Sequence, residues 1–421
     1  MKENSSTLDS SFFGKNPSLR IAEFRSYLTL RLGVIFGLNM QSTIIYYWIY
    51  QITESKLSLG LVGLAEVIPA IGCSFFSGHI VDENEKRKVV LICLMGYIFT
   101  AIGLFAIATS ETISLSTIMP LVYGLVFMGG VLRAFYSPSM FALFGMIVPR
   151  NQYAGATSWS SMAWQIGAVM GPLAAGFAIA SIGISRSLLM IVFLFALLLI
   201  PLFRIKVKPI LKKEKEPVLQ SIAEGLRFVW KTPELLGAQL LDMFSVLFGG
   251  AVALLPVYQK EILHVSEMGF GMLRAAPGVG ALLMLGVLAF LPLRSNPGKK
   301  LLICVAGFAV SIIIFGISTN FYLSLLMLLL SGMFDAVSVV IRSTILQLVT
   351  PDEMRGRVSS VNTMFVSSSN ELGDFESGVM AHYLGTVRAV VTGGFLTLGV
   401  VIVTYFTAPK LRNFSFKTEE K

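Results

Sequence analysis

The chain has 421 residues, 55% of them hydrophobic and only 14% charged, with a mean hydropathy of +0.76 and a formal charge of +9. A soluble globular domain carries roughly a quarter charged residues, so this composition excludes that class. Cys73, Cys93 and Cys304 fall inside apolar runs without metal or redox spacing, so neither a metal nor a redox cofactor is expected.

Taken in chain order, residues 1–25 are polar and lack an apolar h-region, which predicts a tail and no cleaved signal peptide. Apolar stretches long enough to cross a bilayer follow near 26–50, 57–80, 88–109, 114–137, 153–181 and 186–205. Pro138 interrupts the long run Leu121–Val148, which makes the fourth boundary the least defined. Residues 206–234 form a polar linker, and within it Ile222, Leu226, Val229 and Trp230 have the spacing of an amphipathic surface helix. Six more apolar stretches lie near 235–260, 267–292, 300–318, 321–348, 357–383 and 387–408, followed by a tail at 409–421. Continuous apolarity, without the period of two of barrel strands, predicts helices. The expectation is an all-α membrane protein with two six-helix bundles at 26–205 and 235–408.

Orientation follows from Lys and Arg in short loops. With the N-terminus inside, roughly 25 bases lie on the cytoplasmic side. Only Lys56, Arg186, Lys260, Arg274 and Arg388 fall opposite, so both termini are expected in the cytoplasm. Topology then accounts for the positive charge, and no nucleic-acid partner is needed.

The halves echo each other. Gly171-Pro-Leu-Ala-Ala-Gly176 matches Gly373-Asp-Phe-Glu-Ser-Gly378 at an offset of 202 residues, and Pro149 falls on Pro351 at the same offset. Arg87-Lys88-Val-Val-Leu-Ile-Cys93 is echoed by Lys299-Lys300-Leu-Leu-Ile-Cys304. Paired six-helix halves are a transporter arrangement.

On these residues the chain resembles the major facilitator superfamily. The hairpin 78–88, with Gly78, Asp82, Lys86 and Arg87, looks like the loop 2–3 signature of that family. Gly167, Gly171, Pro172 and Gly176 resemble the span-five signature of its drug/proton antiporter branch, with Ala175 where a second glycine is usual. Glu224–Trp230, Leu241–Gly250 and Ser369–Gly378 are similar to bacterial exporters of the enterobactin-exporter type. The resemblance implies a multi-pass inner-membrane protein, a small-molecule cargo such as a siderophore or drug, protons as the coupling ion, and a functional monomer.

The candidate residues are charges inside spans, which cost a few kcal/mol each and usually face a cavity. They are Arg31, Glu66, Arg133, Asp242, Asp335, Arg342, Glu371, Asp374 and Glu376. Glu371 and Asp374 lead as proton carriers, with Asp335 as the alternative. Glu66 is placed either in the cavity or on a backbone group freed by Pro69, and Arg31 and Arg342 either in the cavity or snorkelling. The repeat sets Arg31 opposite Asp242 and Arg133 opposite Asp335. Gly78 and Asp82 are expected to latch against span eleven near Gly356, with Lys86 and Arg87 paired to Asp82 or to lipid phosphate. The span-five glycines read as a hinge or a tight contact. Tyr46, Tyr47, Trp48 and Tyr50, at the outer end of span one, read as an interfacial belt or as stacking groups for cargo, as do Phe135 and Tyr136.

Three functions compete. No Walker loop, His-Glu-x-x-His or Gly-x-Ser-x-Gly occurs, which argues against an enzyme and against ATP-driven work. Paired repeats and intramembrane charges argue against a passive receptor or scaffold. A secondary transporter is the expectation, with export favoured over uptake by the span-five signature.

Overall fold

A computed structural model describes residues 17–110, 112–208, 218–290, 296–351 and 354–415; at some positions inside helices, Asp82, Arg355 and Gly356 among them, it fixes the backbone and not the side chain. The described residues form helices and turns and no strand. Ten of the helices are long and apolar enough to cross a membrane.

Span one is Ala22–Thr53, span two Lys56–Glu83, span three Lys86–Thr109 and span four Leu115–Ile147. Span four runs well past the expected end at 137. Pro138 removes one hydrogen-bond donor, and a single missing rung does not end a helix packed on both sides.

The next helical run, Tyr153–Leu197, has 45 residues. Straight, it would measure about 68 Å, more than twice the bilayer core. Gly183, at φ 78° and ψ 171°, breaks it into span five (153–182) and span six, which starts at 184 and is extended by Leu199–Arg204. Such a φ is open to glycine and costly for other residues. Gly385, 202 residues further on, has φ 83° and ψ 155° and joins span eleven to span twelve in the same way. The offset read from the glycine motifs thus recurs in the backbone.

Beyond the linker helix Val218–Lys231, span seven begins as Pro233–Gly249, loses its helix at Gly250 and Ala251, and resumes through Val252–Leu254, Leu255–Val257 and the π-turn Tyr258–Ile262. Spans eight to twelve are Glu267–Phe290, Pro297–Ile317, Phe321–Val349, Arg355–Leu384 and Thr386–Thr407. Span eleven is absent from the ten apolar helices. Its Ser369, Glu371 and Ser377 are buried and its Asp374 and Glu376 half-buried against neighbouring spans, which makes them tolerable in a membrane, while the exposed Asn370 donates to Val366 O of its own helix.

Each half repeats one packing scheme. Span one lies on spans five and six, with Leu198 and Phe195 filling the space beside Gly33 and Gly37. Span seven lies on eleven and twelve, and spans two and eight lie on four and ten. The halves meet along two seams, span two against eleven and span five against eight. The linker helix packs on the start of span eleven, where Val229 is buried with Leu235, Val358 and Val361 and Arg357 pairs with Glu224. Its Leu226 and Trp230 stay exposed.

Candidate functional site

Glycine spacing decides how the seams close. Gly60 and Gly78 stand 18 residues apart, five helical turns, and so share one face of span two. A Cβ on Gly60 would lie 3.2 Å from Gly378 Cα of span eleven, whereas one on Gly78 would meet nothing within 4 Å among the described residues. The seam between spans two and eleven is therefore shut at the end remote from the termini, here the far end, and, among the described residues, parted around Gly78 at the terminus end. The second seam also closes at its far end, where a Cβ on Gly176 would lie 2.8 Å from Gly271 Cα.

Side chains from span one complete the far seal. Tyr46 donates to Asp374 Oδ2 of span eleven at 2.7 Å, Tyr47 to Glu267 Oε1 of span eight at 3.0 Å, and Tyr50 to Glu261 at the end of span seven. Lys260 pairs with Glu54 at 2.6 Å and Lys56 with Glu261 at 3.4 Å. The two lysine pairs are partly exposed and contribute little each. The tyrosine hydrogen bonds to carboxylates are worth about 1.5–3 kcal/mol apiece, so they dominate the seal. Tyr46 and Tyr47 are thus neither lipid anchors nor exposed stacking faces, being only 2% and 4% exposed. Tyr136 is likewise buried, edge-on to Tyr97.

Two charge networks lie deeper. In the first, Arg133 of span four gives one nitrogen, Nη1, to Glu66 of span two at 2.7 Å and to Glu371 of span eleven at 2.8 Å. This joins the halves near mid-membrane. Arg133 keeps 45% of its side chain exposed, on the gap between the halves, whereas Glu371 keeps 10%. Glu371 Oε2 is buried with no hydrogen-bond partner among the described residues. Glu66 thus pairs with a guanidinium rather than with a backbone group freed by Pro69.

The second network is confined to the second half. Arg342 of span ten pairs with Asp242 of span seven, both under a tenth exposed, and stands 3.9 Å from Asp335, which is 47% exposed. Arg342 therefore does not reach out to the membrane surface. Arg31 donates through Nε to Ser160 O at 3.1 Å and through Nη1 to the Tyr27 hydroxyl at 3.4 Å, both within the first half. The pseudo-equivalent pairs Arg31–Asp242 and Arg133–Asp335 do not form; each arginine has nearer partners. Glu376, two residues beyond Asp374 and so about 200° round the helix, points away from this cluster.

Arg274 corrects the loop count. It belongs to span eight, its Nη2 donates to Ser42 Oγ at 3.0 Å, and its guanidinium lies 4.8 Å from the Tyr46 ring centroid. Its Nη1 is buried with no partner among the described residues. Counting it as a far-side loop base missed this role; the signal was its place two turns into an apolar run.

In the hairpin, Lys86 donates to the carbonyls of Val81 and Asn84 and so caps span two, and Arg87 lies over the Phe203 ring of span six. Glu85, not singled out by sequence, accepts from the N–H groups of Arg87 and Lys88 and caps span three. The expected contact of Asp82 with the start of span eleven involves side chains outside the described residues. The span-five glycines serve close packing on two sides. A Cβ on Gly167 or Gly171 would lie 2.9 or 2.8 Å from span-one backbone at Phe36, while Gly176 and Pro172 meet Gly271 of span eight. The backbone break falls later, at Gly183.

Among the described residues no cluster of His, Cys, Asp and Glu could hold a metal. Residues 28–374 match the family model of the Major Facilitator Superfamily. The enterobactin exporter EntS of Escherichia coli K12 is 24% identical, over 98% of this chain and 97% of its own length. The same exporter from Shigella flexneri is 26% identical over the same shares. Among solved structures, a D-xylose-proton symporter has a TM-score of 0.71 at 14% identity, covering 96% of this chain and 99% of its own. A bacterial homologue of the iron transporter ferroportin, in an inward-facing state, has 0.70 at 16%, covering 94% and 99%.

Proposed function

The chain belongs to the Major Facilitator Superfamily, and we propose that within it this protein is a proton-coupled exporter. Its cargo is an amphipathic small molecule of the siderophore or drug class, moved by alternating access across the bacterial inner membrane. The likeness to enterobactin exporters over nearly the whole chain supports the cargo class. The excess of bases at the terminus end supports a cytoplasmic location for both termini.

The observation that carries the reading is the Arg133 bridge to Glu66 and Glu371, in a molecule sealed at the far end and parted at the other. Only Glu371 of the two acids lies across the seam. A proton on Glu371 Oε2, the oxygen without a donor, removes the charge that Arg133 pairs with and leaves Arg133 to Glu66 alone. The inter-half bridge is then lost, and the far-open state gains. The state parted at the terminus end, cytoplasmic on this reading, corresponds to the proton released and the bridge formed, with the exposed edge of Arg133 on the gap that receives cargo.

The test is a pH-quench assay in everted vesicles, offering siderophores, macrolides and organic cations in turn. Export by antiport predicts substrate-dependent alkalinisation of the vesicle lumen. No proton movement with any of them refutes the proposal, and proton movement of opposite sign assigns uptake.

A further inference from the structure

Span twelve, 22 residues long, begins at Thr386 behind Gly385, which offers no side chain to cap it. The first bond in this helix is Ala389 N–H to Gly385 O at 3.0 Å, so the N–H groups of Thr386, Val387 and Arg388 precede the ladder. Such an end carries partial positive charge and suits an anion. A second observation points the same way. Thr386 is 5% exposed and its Oγ1 is buried with no hydrogen-bond partner among the described residues.

A depression of about 290 Å³ opens at this point, lined by Lys56, Glu261, Leu384, Gly385, Thr386 and Arg388 among others. Arg388 is exposed and forms no ion pair among the described residues. Lys56 is held 3.4 Å from the single acid, Glu261, which already accepts from Tyr50. Two cations and a helix N-terminus against one shared carboxylate leave the depression net positive. Tyr383, Leu384 and Val387, on the same edge, are 79%, 45% and 39% exposed. Such side chains beside a cationic depression at the end of a span fit the headgroup layer of the bilayer.

We propose that this far-end depression binds a phosphate-class oxyanion, held by the Arg388 guanidinium, the uncapped N–H groups of span twelve, the Thr386 hydroxyl and the Lys56 ammonium. Lys56 comes from the first half and the other groups from the second. A bound anion therefore ties the halves together at the far end and favours the sealed state. The same chemistry fits a phospholipid headgroup or free phosphate.

The experiment uses delipidated full-length protein in detergent, titrated with phosphatidylglycerol and, separately, with inorganic phosphate, with adducts counted by native mass spectrometry. Arg388→Gln and Thr386→Val are each expected to weaken the tightest phosphatidylglycerol adduct at least tenfold. Arg186→Gln, which removes another exposed base near the far end, leaves it unchanged. Competition by inorganic phosphate identifies a free-anion site, and its failure to compete identifies a headgroup site. Equal binding by wild type, Arg388→Gln and Thr386→Val overturns the proposal, as does an equal loss in Arg186→Gln.

Discussion

Alanine at Gly378 strains the sealed end of the molecule directly. Its Cβ would lie 2.6 Å from Gly60 Cα, 2.7 Å from Gly60 N and 2.9 Å from Lys56 O. All three are backbone atoms of a helix, so no rotamer change relieves the contact. Carbon atoms pack at about 3.5–4.0 Å, so spans two and eleven must separate by about 1 Å. Overpacking of this kind costs about 1–3 kcal/mol. The cost applies only where the seam is shut. The ratio of far-sealed to far-open molecules should therefore fall about 5- to 150-fold. A 99:1 preference would drop to between about 20:1 and parity. Spin labels at Thr112 and Thr319, exposed at the far end of different halves, read this as a second, longer distance in a cysteine-free background. Gly78→Ala, where the new methyl meets nothing within 4 Å among the described residues, should leave the distribution alone. An unchanged distribution in Gly378→Ala, or an equal shift in Gly78→Ala, refutes the seam geometry.

Tyr46→Phe removes the donor to Asp374 and should weaken the seal by about 1–3 kcal/mol, seen as faster maleimide labelling of a cysteine placed in the far half of span one; an unchanged rate contradicts it. Arg342→Gln leaves buried Asp242 without its cation, at a cost of about 3–5 kcal/mol, and should lower the thermal midpoint by several degrees, with partial recovery in Arg342→Gln/Asp242→Asn. The hydrogen bond and charge of Lys260 hold the exposed Glu54 carboxyl below its ordinary value. Its stabilisation is thus fully present above that ordinary value and is lost as the pH falls through the lowered one. The difference in thermal midpoint between wild type and Glu54→Gln should be present at neutral pH and vanish in acid; an equal difference at both would contradict the pairing.

The apolar spans were legible because hydrocarbon demands length and apolarity, and eleven of the crossings announce themselves that way. Span eleven, read at 357–383 among the apolar stretches and echoed by the repeat of Gly373–Gly378 on Gly171–Gly176, is too polar to stand among the helices apolar enough to cross. The same repeat carries Gly183 onto Gly385, but the positive φ at both is a property of the backbone that composition does not reveal. Intramembrane charge marked Glu66, Arg133 and Glu371 as candidates, since such residues are costly in lipid. Which charge meets which was not legible. The partners of Arg133 lie 67 and 238 residues away, and only helix packing brings them to one nitrogen. Tyr46 has the position and chemistry of an interfacial belt residue, and its burial depends on Asp374, 328 residues later. Arg274 was missed because an arginine near a span end fits loop counting as well as it fits a buried contact on Ser42.

The central claim is that proton movement through Glu371 drives export. Proteoliposomes loaded with buffer and placed under an imposed pH gradient, with a fluorescent catecholate siderophore outside, test it most directly when wild type and Glu371→Gln are compared. The account predicts gradient-dependent accumulation in wild type that collapses with an uncoupler, and only gradient-independent equilibration in Glu371→Gln. Accumulation by Glu371→Gln that still follows the pH gradient would contradict it.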